Sequence, residues 1–265
     1  MLQEAGLART YSHPSYPDPY NVVIDYERVR NYHLSHPDQG STVVARALDL
    51  PRARIRPWLN GSKPDPVRAI ETAQRLGWFD ATHENKFGVA FNRLIAASLS
   101  GGSISRSFEP RFVADTDVVD EGVRESLTTL AVGVREVNPN EANRPVELTP
   151  DSDRMLLGRV LTAIGVPLGS KTSGSVRALP SYLDNAQPSV RNDFVEIYLA
   201  NRGVEFDGKD TVRIIEDRET QYRVQLANLL QEVIGKPVWV TEQGITISAD
   251  AAREVKTVTG DQFGW

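Results

Sequence analysis

Cysteine is absent from the 265-residue chain, and histidine occurs only at His13, His33, His36 and His83. Disulfides, thiolate catalysis and cysteine-based zinc sites are therefore excluded, and four scattered imidazoles leave little for any other zinc cluster. Long apolar runs are missing too: no stretch approaches the ~18 residues of a membrane span. Met1 to Tyr20 is polar and rich in Pro and Tyr rather than basic-then-apolar, so no secretory signal is expected, and the reading is a cytoplasmic protein. Lysine is scarce, with six among 30 basic residues against 24 Arg. Arginine offers a planar fork of donors suited to phosphate and to guanine edges, although GC-rich coding or a salt-adapted source produces the same bias. What remains, 40% hydrophobic and 25% charged residues, is the composition of a globular chain with room for two domains. The net charge of −5 argues, taken alone, against a nucleic-acid binder. It is unevenly spread: 0 over residues 1–85, −1 over 86–187 and −4 over 188–265.

Residues 1–22 hold His-Pro, Tyr-Pro and Asp-Pro pairs without periodicity and are expected to form an extended arm. Tyr26, Val29 and Tyr32 have helical spacing that Ser35 to Gly40 breaks. Ser41 can cap a second helix carrying Val43, Val44, Ala47 and Leu48, and a turn follows at Asp49-Leu50-Pro51. Ile55, Trp58 and Leu59 share the next helix face up to Gly61, and Asp65-Pro66 opens a last helix with Ile70, Ala73 and Leu76 inward before Gly77. Short helices joined by tight turns over residues 23–85 make a helical domain of the helix-turn-helix kind.

The stretch STVVARALDLPRARIRPWLNGSKPDPVRAIETAQRLGW, Ser41 to Trp78, resembles the Cro/repressor-type helix-turn-helix. The resemblance implies that Pro51 to Leu59 is the recognition helix, with Arg52, Arg54 and Arg56 available to bases or phosphates. Pro57 departs from the pattern and is expected to shorten the reading surface to Pro51–Arg56. Between Ser41 and Arg68, six basic residues including Lys63 face only Asp49 and Asp65, a local charge of +4. A small packing module with a solvated Arg face is the bland alternative.

From Lys86 onward the chain repeats itself. Helices with Phe87, Phe91, Leu94, Ile95 and Leu99, and with Phe194, Val195, Ile197, Tyr198 and Leu199, end at Gly102 and Gly203, 101 residues apart. After each come β-prone segments (Ser103 to Val113; Thr211 to Ile215), a helix ending at Gly133 or Gly235, further strands (134–137 and 146–148; 238–240 and 245–247), and a helix near Asp151 or Asp250. The expected fold is α+β: a helical domain, then two αββαββα repeats at 86–170 and 188–265 joined by a linker at 171–187.

That arrangement, with LIAASLSGGSI (Leu94 to Ile104), LLGRVLTAIGVPLGSK (Leu156 to Lys171) and VRNDFVEIYLANRG (Val190 to Gly203), resembles the LAGLIDADG homing-endonuclease fold. The resemblance implies two paired helices on a pseudo-twofold axis and two sheets forming a saddle on the DNA major groove. Members that cut DNA place one carboxylate at the foot of each paired helix to hold metal between the scissile phosphates. Here those positions are Gly101 and Arg202, and a shift of one residue gives Ser100 and Asn201, so no carboxylate is restored. A guanidinium beside a metal ion would add repulsion of about 4 kcal/mol at a surface-like dielectric. Glu205 and Asp207 are read as loop acids beyond the helix.

The expectation is therefore no catalysis, no metal and no cofactor. Arg202 would face phosphate at the centre of the saddle, with Arg106, Arg111 and Arg213 on strands and Lys171 in the inter-repeat loop as further DNA contacts; each strand arginine could equally be an ordinary solvated residue. Arg93 and Arg159 read as surface or ion-pair residues. His33 and His36 lack a third ligand, and Ser100-Gly101-Gly102-Ser103 lacks a P-loop lysine. Trp58, Trp78 and Trp239 are expected in the core, and Phe263-Gly264-Trp265 either docks on a partner or frays. The function expected is sequence-specific binding of double-stranded DNA in transcriptional regulation, nucleoid-associated, with the two modules in the reverse order of WhiA-type bacterial regulators. Two alternatives stay open: a nuclease using displaced acids, and a protein-interaction scaffold using the acidic last third.

Overall fold

The computed structural model describes residues 1–138, 145–169, 176–206, 209–242 and 244–253. Lys171, Asp207 and the terminal Phe263-Gly264-Trp265 lie outside the described residues. The protein is α+β, with a helical unit at Leu2–Phe79 and a second unit, Asp80–Trp265 with Met1, that carries two antiparallel four-stranded sheets. No helix among the described residues is long and apolar enough to cross a membrane.

The helical unit has five helices: α1 (Glu4–Ala8), α2 (Tyr20–Ser35), α3 (Ser41–Leu48), α4 (Arg52–Leu59) and α5 (Asp65–Arg75). The first residues do not form an extended arm. Leu2, Leu7, Ala8 and Tyr16 are buried, because the apolar pair Leu7-Ala8 on a single helical turn has a core to enter, which proline spacing alone does not reveal. Along α2, Val22, Val23, Tyr26 and Val29 follow the helical repeat and turn inward. Val29, Val44 and Ile55 then form one cluster from α2, α3 and α4, flanked by Tyr32, Leu48, Leu50, Trp58 and Leu59. Each fully buried aliphatic contributes about 1.5 to 3 kcal/mol, enough to hold eight-residue helices that would not persist alone.

Local residues set the helix ends. Gly40, not Ser41, is the cap of α3, and Val43 points outward at 49% exposure while Val44 is buried. Asp49 takes the left-handed conformation (φ 53°) that turns the chain from α3 into α4. Pro57 does not end α4, which runs on to Leu59. One missing donor is tolerable in a two-turn helix anchored by Ile55. Pro66 in the first turn starts α5, and Gly77 (φ 76°) closes it.

The second unit repeats one order of elements. The first pass is α6 (Lys86–Ser100), β1 (Ser103–Ile104), β2 (Pro110–Val113), α7 (Asp117–Thr129), β3 (Arg135–Val137), β4 (Glu147–Thr149) and α8 (Arg154–Ala163). The second is α9 (Pro188–Arg202), β5 (Gly203–Phe206), β6 (Lys209–Ile215), α10 (Thr220–Ile234), β7 (Val238–Thr241) and β8 (Gly244–Ile247), with residues 249–253 again helical. The strand orders correspond as well, β1-β2-β4-β3 and β5-β6-β8-β7, all antiparallel. Within Ser103 to Val113, a turn at residues 105–109 separates β1 from β2, with Phe108 at φ 63°. Glu205, read as a loop acid, lies within β5, which begins directly at the end of α9.

α6 is buried almost all round, from Ala90 to Ser100, as a helix in the centre of a unit must be. Ala96, Ala97 and Ser98 let α9 approach closely, and α9 buries Phe194, Val195, Ile197, Tyr198 and Leu199. The two helices lie side by side with like ends together. Asn92 Nδ2 donates to the Val190 carbonyl (3.0 Å), Arg93 pairs with Asp193 (3.0 Å), and Asn201 Nδ2 donates to Ser100 Oγ (2.9 Å). Partners about 100 residues apart in sequence thus meet along the whole pair.

Candidate nucleic-acid interface

In the helical unit, α3, the Asp49-Leu50-Pro51 turn and α4 present arginines of unlike status. Arg52 and Arg56, one helical turn apart, are both exposed, and Arg52 Nε donates to Ser41 Oγ (3.2 Å). Arg54 points elsewhere. Its Nη1 donates to the Tyr16 hydroxyl (2.8 Å) and its guanidinium lies over the Tyr16 ring (4.4 Å). Tyr16 in turn donates to Asp25 Oδ2 (2.7 Å), and burial, reinforced by that carboxylate, pushes its hydroxyl up to about 12. Arg54 therefore braces the segment before α2 and is not part of an exposed reading face. Lys63 is held by Glu71 (2.7 Å) and Arg68 by Asp65. The local +4 reduces to a surface of Arg46, Arg52 and Arg56.

In the second unit the feet of α6 and α9 sit together. Gly101 caps α6 and is exposed; a Cβ there would lie 3.2 Å from Asn201 Nδ2 and 3.4 Å from Val113. Arg202 is the last residue of α9, half-buried, with its Nε shielded from solvent. Neither position carries a carboxylate.

Behind those feet is a buried polar cluster that no sequence pattern announced. Arg218 and Glu216, each 2% exposed, form an ion pair (2.7 Å) in the loop after β6. Tyr198 donates to Glu216 Oε2 (2.7 Å), and Arg218 Nη1 also donates to the Tyr198 hydroxyl (3.0 Å) while its guanidinium lies over the Tyr222 ring (4.6 Å). Arg218 Nη2 donates to the Leu99 carbonyl (2.6 Å). That carbonyl belongs to the last turn of α6, where four acceptors have no partner within the helix, so a buried cation there completes the helix end and suits its dipole. The corresponding loop after β2 holds Ala114 and Thr116, and Thr116 only caps α7. Burial raises the Tyr198 hydroxyl well above its usual range and pushes Tyr222 up to about 12. The only signal in the sequence was the charged run Glu216-Asp217-Arg218-Glu219, whose composition is that of an ordinary solvated loop.

Each sheet turns one face to the helices, and among the described residues no element covers the other. In the first, Ile104, Phe112 and Leu148 face the core, while Ser103, Arg111, Val113, Arg135, Val137 and Glu147 lie on the outer face. Arg111 is 47% exposed but paired with Glu147 (3.0 Å). Arg106 is exposed in the β1–β2 turn and is not a strand residue. That turn is tied down by Arg159, whose guanidinium lies over Phe108 at 3.8 Å, so Arg159 is a stacking residue of the scaffold. In the second sheet, Val212, Ile214, Ile245 and Ile247 face inward, and Val204, Arg213, Thr246 and Trp239 form one cross-strand row on the outer face. Trp239 is 52% exposed, not core: period-2 alternation places it opposite Val238, and the apolar neighbours that suggested burial are on the other face. Trp78 is fully buried and Trp58 partly so, against Tyr26.

Compared with known proteins, the chain matches no protein family and no curated relative.

Proposed function

We propose that the protein binds double-stranded DNA sequence-specifically and without cleaving it, as a transcriptional regulator. It would combine a Cro/repressor-type helix-turn-helix with a degenerate LAGLIDADG-like pair of repeats. The observation that carries this reading is the pair α6 and α9: two buried helices with adjoining feet, each leading into a four-stranded sheet whose outer face no described element covers, and with Gly101 and Arg202 at those feet. A half-buried guanidinium there favours phosphate and opposes a divalent ion. Arg52 and Arg56 on α4, with Arg111, Arg135 and Arg213 on the sheets, supply the remaining cationic contacts. The overall charge of −5 does not oppose this, since affinity would depend on a few placed arginines rather than on a basic surface.

The test is selection of duplexes from a random pool by the full chain, followed by gel shift and footprinting in Mg²⁺ and in Mn²⁺. The expected result is a protected sequence that is bound and stays uncut in both ions. Cutting of the selected duplex would replace this reading with that of a nuclease using displaced acids. Failure to enrich any sequence would end the DNA reading and favour a protein partner on the acidic last third.

A further inference from the structure

The outer face of the second sheet does not look like a phosphate-binding surface. Its described positions are Val204, Thr211, Arg213, Ile215, Trp239, Thr241, Gly244 and Thr246. No carboxylate is among them, although residues 188–265 carry thirteen acids against nine bases. The described acids of this half lie on helices or in loops, or on strands at the register of the inward-facing Val212, as Glu205 in β5 and Asp210 in β6 do. A face without a carboxylate at its described positions, inside an acidic half, suits an anionic occupant, yet the only cation among those described positions is Arg213. What it offers instead is apolar area: Trp239 is 52% and Ile215 49% exposed.

Glycine shapes that area. Ile215, Gly244 and Thr241 form the cross-strand row next to Arg213, Thr246 and Trp239. A Cβ at Gly244 would lie 2.0 Å from the Ile214 carbonyl oxygen, and its φ of 151° disfavours any side chain, so the middle of the row carries none. Between Ile215 and Thr241 that row therefore carries backbone only. Four strands at about 4.8 Å spacing make the face about 14 Å across, close to the roughly 12 Å width of a major groove. The apolar group that a major groove displays is the thymine C5-methyl.

We infer that the second sheet reads thymine methyl groups, with Trp239 and Ile215 as the specificity-determining residues of that half-site. The inference rests on the DNA-binding reading above and names the chemistry of one half of it. Apolar contact with a methyl group adds discrimination without counter-ion release, so this half contributes specificity and little salt dependence.

The experiment uses the full chain and its selected duplex, with every dT of one half-site and then of the other replaced by dU, which removes only the methyl. Each set is titrated against the native protein and W239A. In the native protein, dU in one half-site weakens binding about fourfold for each methyl contacted, the fold-change of about 0.8 kcal/mol for a buried methyl-sized group. In W239A that penalty disappears for the same half-site, while the slope of affinity against salt is unchanged. Trp239 is half exposed, so W239A keeps the fold, checked by its melting temperature. Specific binding that is indifferent to dU, or a dU penalty that persists in W239A, overturns the thymine inference and leaves the DNA reading standing. Enrichment of no duplex overturns both.

Discussion

Arg54 and Arg56 stand two residues apart on one short helix and have different partners. Arg54 donates to Tyr16 and covers its ring, whereas Arg56 faces solvent. Arg54→Ala is therefore expected to destabilise the helical unit by about 1 to 2 kcal/mol, one hydrogen bond and one cation–π contact, measured by urea denaturation. Arg52→Ala with Arg56→Ala is expected to leave the midpoint within about 0.5 kcal/mol and to weaken binding of a selected duplex. The reverse pattern would remove Arg52 and Arg56 from the interface. The Glu216–Arg218 pair makes a sharper case. Arg218→Met leaves a buried carboxylate without its cation and the Leu99 carbonyl without its donor, at a cost of about 3 to 5 kcal/mol. Glu216→Leu combined with Arg218→Met should recover a large part of that loss in the same denaturation experiment, because neither charge is then stranded.

At the scale of elements, close approach decides what composition leaves open. Gly158 lies within α8, and a Cβ there would come 1.9 Å from the Phe108 carbonyl oxygen in the β1–β2 turn. Backbone cannot yield as a side-chain tip does, so Gly158→Ala is expected to push α8 off that turn and cost about 1 to 3 kcal/mol, read as a lowered melting temperature. The next residue, Arg159, would lose its stacking on Phe108, making the turn that carries Arg106 more mobile in amide exchange. Helices were legible in the sequence wherever apolar residues recur with their own period, as in α2, α4, α6 and α9. Strand limits were less so: β1 is two residues long, and β5 starts at Gly203, the same residue that ends α9, with no loop between them. Pro57 predicts a shortened reading surface, yet α4 runs on to Leu59, because Ile55 in the α2–α3–α4 cluster outweighs one lost hydrogen bond.

At the scale of the molecule, the two units share one sensitivity to alkali. Tyr16 in the helical unit and Tyr222 in the second both have hydroxyls pushed up to about 12, burial being the largest cause in each. The unfolded chain releases these protons near pH 10. Above that value the unfolded state binds fewer protons than the folded one, so stability is full below about pH 10 and declines as pH rises toward about 12. Denaturation midpoints across that range should fall for the native chain and fall less for Tyr222→Phe. An unchanged slope in Tyr222→Phe would mean that this hydroxyl does not carry the effect.

The sequence by itself determined the order of elements from α2 onward, the duplication in the second unit, and the Gly101 and Arg202 at the feet of its paired helices, since periodicity and spacing are local properties of the chain. Only the tertiary structure decided which arginines are engaged, that Trp239 is exposed, and that Arg218 completes the end of a helix 119 residues earlier. Such outcomes depend on what a side chain meets across the fold. A guanidinium has the same formula in the sequence whether it rests on a tyrosine ring, on a buried carboxylate or in water, and its surroundings alone set its role.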